Sequence, residues 1–144
     1  TGFCLAWRPG AARTTDDLLV TPRPDPRKNP GTQFGLMIVG PDGKLLFYER
    51  RPTKVHDLKV VPFRGQRMLA FFQQAGRHGY YQLLDDHYRP VARITAGHGY
   101  STNLHELQMT GDGTAWVSAD ARVGAVIEYV ERYYLPATAH VRAA

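Results

Sequence analysis

One cysteine, Cys4, is the only thiol in the 144-residue chain, so no intrachain disulfide and no cysteine-built metal site can form. No apolar run approaches the roughly 18 residues that cross a bilayer as a helix, which excludes a transmembrane helix. No sustained i, i+3, i+4, i+7 apolar stripe occurs either, and this excludes coiled coils and helical arrays. Charge is not concentrated: 18 Lys and Arg against 13 Asp and Glu give a net +5, yet the longest basic runs are the pairs Arg27-Lys28 and Arg50-Arg51. Nucleic-acid binders gather such charge on one face or motif, so a mixed, solvated surface and no nucleic-acid partner are expected. Phosphate, hydrolase and metal motifs are missing as well. Gly97-His98-Gly99-Tyr100 lacks the Lys-Ser or Lys-Thr of a phosphate loop, no Gly-x-Ser-x-Gly elbow is present, and no His-x3-His or His-Glu-x2-His spacing occurs. No cofactor and no metal are expected.

What is present is the material of a folded domain: 43% hydrophobic and 11% aromatic residues, with 14 Gly and 10 Pro as punctuation. A closed domain of this length buries about 68% of its unfolded surface. Apolar and β-branched runs between turn signals predict strands at 18–21, 34–39, 45–49, 55–61, 68–72, 80–84, 91–95, 104–109, 115–118, 125–130 and 137–141. Gly40-Pro41-Asp42-Gly43, Arg64-Gly65-Gln66 and Gly111-Asp112-Gly113 supply the residues that tight hairpins need. Four prolines (Pro22, Pro24, Pro26, Pro30) make 21–32 an extended loop, since proline cannot pair in a central strand. Residues 1–15 show no usable pattern. The chain reads as all-β.

Internal repetition sharpens this reading. Phe34 to Tyr48 lies over Tyr80 to Ile94, strand on strand and turn on turn, at an offset of 46 residues (Phe34 to Tyr80). His56-Asp57-Leu58-Lys59 and His105-Glu106-Leu107-Gln108 repeat at an offset of 49. A period of about 40 to 50 residues with four strands is the size of a β-propeller blade. The expected fold is a partial propeller: blade strands over 18–49, a blade over 55–95 and another over 104–141. Propellers close with about four to eight blades. The chain holds fewer than three and opens on Thr1, mid-blade, so it is expected to be a fragment whose remaining blades lie elsewhere.

His56 and His105 would then start successive inner strands and face the central channel. Imidazole there can act as nucleophile, acid, base or ligand. A repeated His-acid pair is equally a structural blade signature, and both readings stay open. Asp57 and Glu106, next in their strands, should face away from the adjacent histidine. His78, His87, His98 and His140 sit in turns or beside glycine and read as surface groups, and Tyr80, Tyr81 and Tyr88 as packing.

The phrases Gly35 to Tyr48, Val55 to Val60, Arg67 to Gln74, Tyr81 to Ile94 and Ala96 to Thr110 together resemble the arylsulfotransferase family of β-propeller proteins. The resemblance covers about 90 residues, weakens from Gly124 onward and does not reach residues 1–15. It implies a six-bladed propeller, secreted or periplasmic, that passes a sulfuryl group from an aryl sulfate to a phenol through a sulfated histidine without a nucleotide cofactor. His56 and His105 carry over as channel-facing catalytic positions and Asn103 as a substrate-binding one; the family's other blades, any of which can hold the nucleophile, are absent from this sequence. Sulfuryl transfer through a loose transition state asks a protein mainly to position reactants and neutralise oxygen charge, as phosphoryl transfer does. The competing expectation is a non-catalytic extracytoplasmic propeller that serves as a binding module.

Overall fold

A computed structural model describes residues 15–25, 27–28 and 31–120, together with the backbone of 142–143. All regular structure in it is β. Nine strands follow in chain order: β1 (Leu18–Val20), β2 (Phe34–Val39), β3 (Leu45–Arg51), β4 (Val55–Phe63), β5 (Gln66–Ala75), β6 (His78–Leu84), β7 (Pro90–Ile94), β8 (Ser101–Met109) and β9 (Ala115–Asp120), and the two-residue β10 (Arg142–Ala143) ends the series. Every strand expected between residues 18 and 118 is present. The expected strands at 125–130 and 137–141, the segment 1–14, Cys4 and His140 lie outside the described residues.

The strands form three antiparallel sheets: β1-β2-β3, the run β4-β5-β6-β7 with β10 added at the β7 edge, and the pair β8-β9. No closed ring of sheets is present among the described residues. The chain divides into two compact units, residues 1–55 and 56–144. The first holds β1 to β3. In it β2 is buried along almost its whole length, whereas β3 exposes Leu45, Leu46 and Tyr48.

In the second unit, side chains two apart along each strand build one core. Val61 and Phe63 of β4, Met68, Ala70 and Phe72 of β5, Tyr81 and Leu83 of β6, and Ala92 and Ile94 of β7 pack with Leu107 and Ala115 of the β8-β9 pair. Period-2 alternation puts these side chains on a common face. The uninterrupted apolar run Met68 to Phe72 predicts a strand covered on both sides, and Leu69 and Phe71 on the other face of β5 are buried too.

Turn chemistry repeats with the strands. In 40–44, 85–89 and 110–114 the first residue donates its N–H to the carbonyl of the fifth, and the fourth donates to the carbonyl of the first. The fourth residue has a left-handed backbone each time, with φ of 81° at Gly43, 60° at Tyr88 and 95° at Gly113. This is the three-residue hairpin loop that ends in a left-handed residue. An aspartate closes each loop: Asp42 accepts from the Lys44 N–H at 3.1 Å, Asp85 from those of His87 and Arg89 at 2.9 and 2.8 Å, and Asp112 from that of Thr114 at 3.0 Å. These hydrogen bonds hold all three carboxyls below the usual aspartate range; the largest contribution is the Lys44 side chain at Asp42, the Arg89 N–H at Asp85 and the Thr110 hydroxyl at Asp112. Arg64 and Gly65, both with positive φ, make the two-residue loop between β4 and β5.

The expected 46-residue match between hairpins becomes 45 in the structure, from Gly43 to Tyr88. Register slips at the same place in both, between Ile38 and Val39 in one and between Leu83 and Leu84 in the other. Turns and flanking strands therefore align together, one residue earlier than the apolar pattern suggests.

Candidate functional site

A meander places its connections alternately at two ends. At one end of the second unit lie the loop Arg64-Gly65 and the Asp-closed turns at 85–89 and 110–114; at the other lie the start of β4, the turn at 76–77, the link 95–100 and the start of β8. His56, His78 and His98 belong to this second end, whereas His105, expected to start its strand, stands at the middle of β8. Among the described histidines only His87 belongs to the first.

The two histidines read as equivalents differ in setting. His56 is buried, 7% exposed, with its ring tilted at 57° against Phe72 at a centroid distance of 6.3 Å. Phe72 lies across Gly79, where a side-chain carbon would come within 2.0 Å of the ring, so glycine is what allows Phe72 to lean towards His56. His105 is exposed. It sits in a wide irregularity of β8: Thr102 pairs with Ala119 and Leu107 with Val117, so the four residues 103–106 stand opposite Ser118 alone. Bulges of this kind re-aim side chains. Ser118 fills the gap, accepting from the Glu106 N–H at 3.1 Å.

Asn103, expected to bind substrate, has partners within the chain at both ends of its amide. Its Nδ2 donates to Asp120 Oδ1 at 2.7 Å, and its Oδ1 accepts from the His105 backbone N–H at 3.0 Å. His105 Nδ1 lies within hydrogen-bond reach of that same oxygen. The chain Asp120, Asn103, His105 is thus continuous. Near it, His78 Nδ1 and the Ser101 hydroxyl are 2.7 Å apart, and Ser101 pairs with Asp120 across the first rung of β8 and β9. Gly97-His98-Gly99-Tyr100 forms a closed turn, the Tyr100 N–H donating to the Gly97 carbonyl at 3.1 Å, with left-handed backbone at His98 and Gly99.

The acids beside the two histidines, set aside by strand alternation, meet through one lysine. Lys59 Nζ is 2.8 Å from Asp57 Oδ2 and 3.7 Å from Glu106 Oε1. The Tyr81 hydroxyl lies 3.0 Å from Asp57 Oδ2 and 3.1 Å from the Leu104 carbonyl within the bulge. Burial, with the Asp57 and Glu106 carboxylates nearby, holds the Tyr81 hydroxyl far above the usual tyrosine range. Asp57 and Lys59, two apart in β4, meet on one strand, with Asp57 at φ of 52°, and Glu106 reaches the same lysine from the bulge of β8. The repeated acid in the two His-acid phrases was the sequence signal for this contact.

Asp85, Asp86 and His87 offer ligand atoms within 4.8 Å of one another. Asp85 is already held by Arg89 at 2.8 Å and by the turn N–H groups, so the cluster is a turn closure. No helix among the described residues is long and apolar enough to cross a membrane. Comparison of the chain with protein-family models, curated proteins and solved structures returned no match.

Proposed function

We propose that this chain forms part of an arylsulfotransferase-like β-propeller, acting outside the cytoplasm, that moves a sulfuryl group from an aryl sulfate to a phenol. The observation that carries the proposal is an exposed imidazole, His105, presented from the bulge of β8 and held by Asn103, whose partner Asp120 pairs with Ser101 beside His78. In the proposed reaction His105 attacks sulfur: an N–S bond forms, the S–O bond to the aryl oxygen breaks, and the electron pair leaves with the phenolate. An acceptor phenol then attacks the same sulfur, the N–S bond breaks, and the imidazole is restored. His78, hydrogen-bonded to Ser101, is the second imidazole beside this network and the group assigned to give and take the phenolic proton. His56, expected beside His105 in the chemistry, is buried against Phe72, and this reading gives it a packing role.

A binding module is the second reading. It is favoured by the Asp57, Lys59 and Glu106 contacts, which use the acid halves of the repeat structurally. Turnover separates the two. The transferase releases 4-nitrophenol from 4-nitrophenyl sulfate continuously only when a phenol acceptor is present; with donor alone it releases at most one equivalent, and intact mass then shows a sulfuryl adduct. Equal release without acceptor makes the protein a hydrolase; no release and no adduct leave the binding module.

A further inference from the structure

Three hydrogen bonds at the bulge settle which nitrogen of His105 is available. Asp120, when ionised, can only accept, so the Asn103 group facing it at 2.7 Å is the NH2. The other end of the amide is then the carbonyl oxygen. That orientation has an independent check, because the His105 backbone N–H, which can only donate, also lies 3.0 Å from Asn103 Oδ1. An oxygen so placed cannot donate to the ring. His105 Nδ1, which meets the same oxygen, must therefore carry the hydrogen.

We infer that Asp120 and Asn103 are positioning residues that fix the neutral His105 ring as its Nδ1–H tautomer and so reserve Nε2, with its lone pair, as the reacting atom. Free imidazole side chains prefer the opposite tautomer, in which Nε2 carries the hydrogen and cannot attack. Asn103 holds the ring by accepting from it, and Asp120 acts one step further out, by preventing the amide from turning over. The bulge makes this possible: regular alternation would put residues 103 and 105 side by side on one face without bending the backbone N–H of 105 onto the side chain of 103. The arrangement makes Asn103 an orienting group where the family resemblance implied a substrate contact. Its catalytic consequence rests on the sulfuryl-transfer reading, but its geometry does not.

Long-range 1H–15N correlation spectra of the 15N-labelled chain report the tautomer directly. Neutral His105 is expected as Nδ1–H. Asn103→Ala should move it to mainly Nε2–H, and Asp120→Ala should give a mixture, whereas Asp120→Asn, which keeps an acceptor oxygen, should restore the wild-type spectrum. A merely structural Asp120 would change stability in both of its variants and the tautomer in neither. Nε2–H in the wild type overturns the inference, as does an unchanged tautomer in Asp120→Ala, a variant at an exposed strand end that does not depend on the bulge for folding. Nδ1–H without any aryl sulfate turnover upholds it while removing the transferase reading. Turnover with Nε2–H does the reverse.

Discussion

Two repeats in this molecule have diverged in opposite ways. The hairpins β2-β3 and β6-β7 keep the same loop hydrogen bonds, the same left-handed fourth residue and the same register slip, although their sequences share little beyond apolar spacing. The strands β4 and β8 keep a near-identical phrase, His-acid-Leu, yet one imidazole is buried against an aromatic ring and the other is exposed on a bulge. Loop geometry is set by backbone hydrogen bonds that many sequences satisfy. The environment of a side chain is set by what the neighbouring strand places opposite it, and Ser118 opposite residues 103–106 has no counterpart in the phrase itself.

Exchanging each histidine for asparagine tests that divergence with the largest effect. His105→Asn should lower aryl sulfate transfer on the order of 10³-fold or more while shifting stability by no more than about 0.5 kcal/mol, as exposed substitutions do. His56→Asn should do the opposite, costing about 1–3 kcal/mol through lost packing and a newly buried amide and leaving the folded fraction active. Thermal unfolding and initial rates on the same two preparations decide it. Equal rate losses in both variants would return His56 to the reacting site.

This contrast marks where the sequence was legible. Strands from 18 to 118 could be read because apolar alternation and Gly, Pro and Asp turns act locally, within about five residues. The place of His56 at the start of β4 could be read from strand order, whereas His105, expected to start its strand, stands in the middle of β8. The Asp120, Asn103, His105 chain could not, since it depends on a four-against-one bulge that leaves no periodic trace. Nor could the Asp57 to Lys59 to Glu106 contact, because Glu106 comes to Lys59 from β8, beyond the reach of any local pattern. His78 read as a surface group and is exposed, but its partner Ser101 is 23 residues away in sequence, beyond any local pattern.

The link between the two divergent strands passes through Tyr81, and removing its hydroxyl gives the next largest effect. Tyr81→Phe should cost about 1–2 kcal/mol at neutral pH, because Asp57 Oδ2 and the Leu104 carbonyl lose a common donor. The cost depends on pH with a definite sign. In the unfolded chain the hydroxyl ionises near its ordinary value of about 10, whereas the folded protein keeps it protonated well above that. Below about pH 10 both states hold the proton and the contribution is fully present; above it the unfolded state releases the proton first, so stability falls by up to about 1.4 kcal/mol per pH unit. Denaturant titrations at pH 8 and 11 should therefore show the wild type and Tyr81→Phe converging at the higher pH. A constant gap would mean that Tyr81 ionises normally and that its contacts with Asp57 and Leu104 are not formed.

The hairpin comparison yields the smallest effect, and the one with the clearest sign. Position four of the loop is glycine in 40–44 and 110–114 but tyrosine in 85–89, where Tyr88 is 40% exposed and holds φ of 60°. A left-handed backbone costs a residue with a side chain roughly 1–2 kcal/mol, and glycine nothing. Glycine in turn loses more freedom on folding, which takes back about 0.5–1 kcal/mol. Tyr88→Gly should accordingly stabilise the protein by about 0.5–1 kcal/mol, the difference between those two opposing terms, and Gly43→Ala should destabilise it by about 1 kcal/mol for the converse reason. Paired denaturation midpoints of the two variants give the measurement. If Tyr88→Gly were instead destabilising, the aromatic ring would have to contribute packing that outweighs its strained backbone, and the two hairpins would share a loop shape without sharing what holds it.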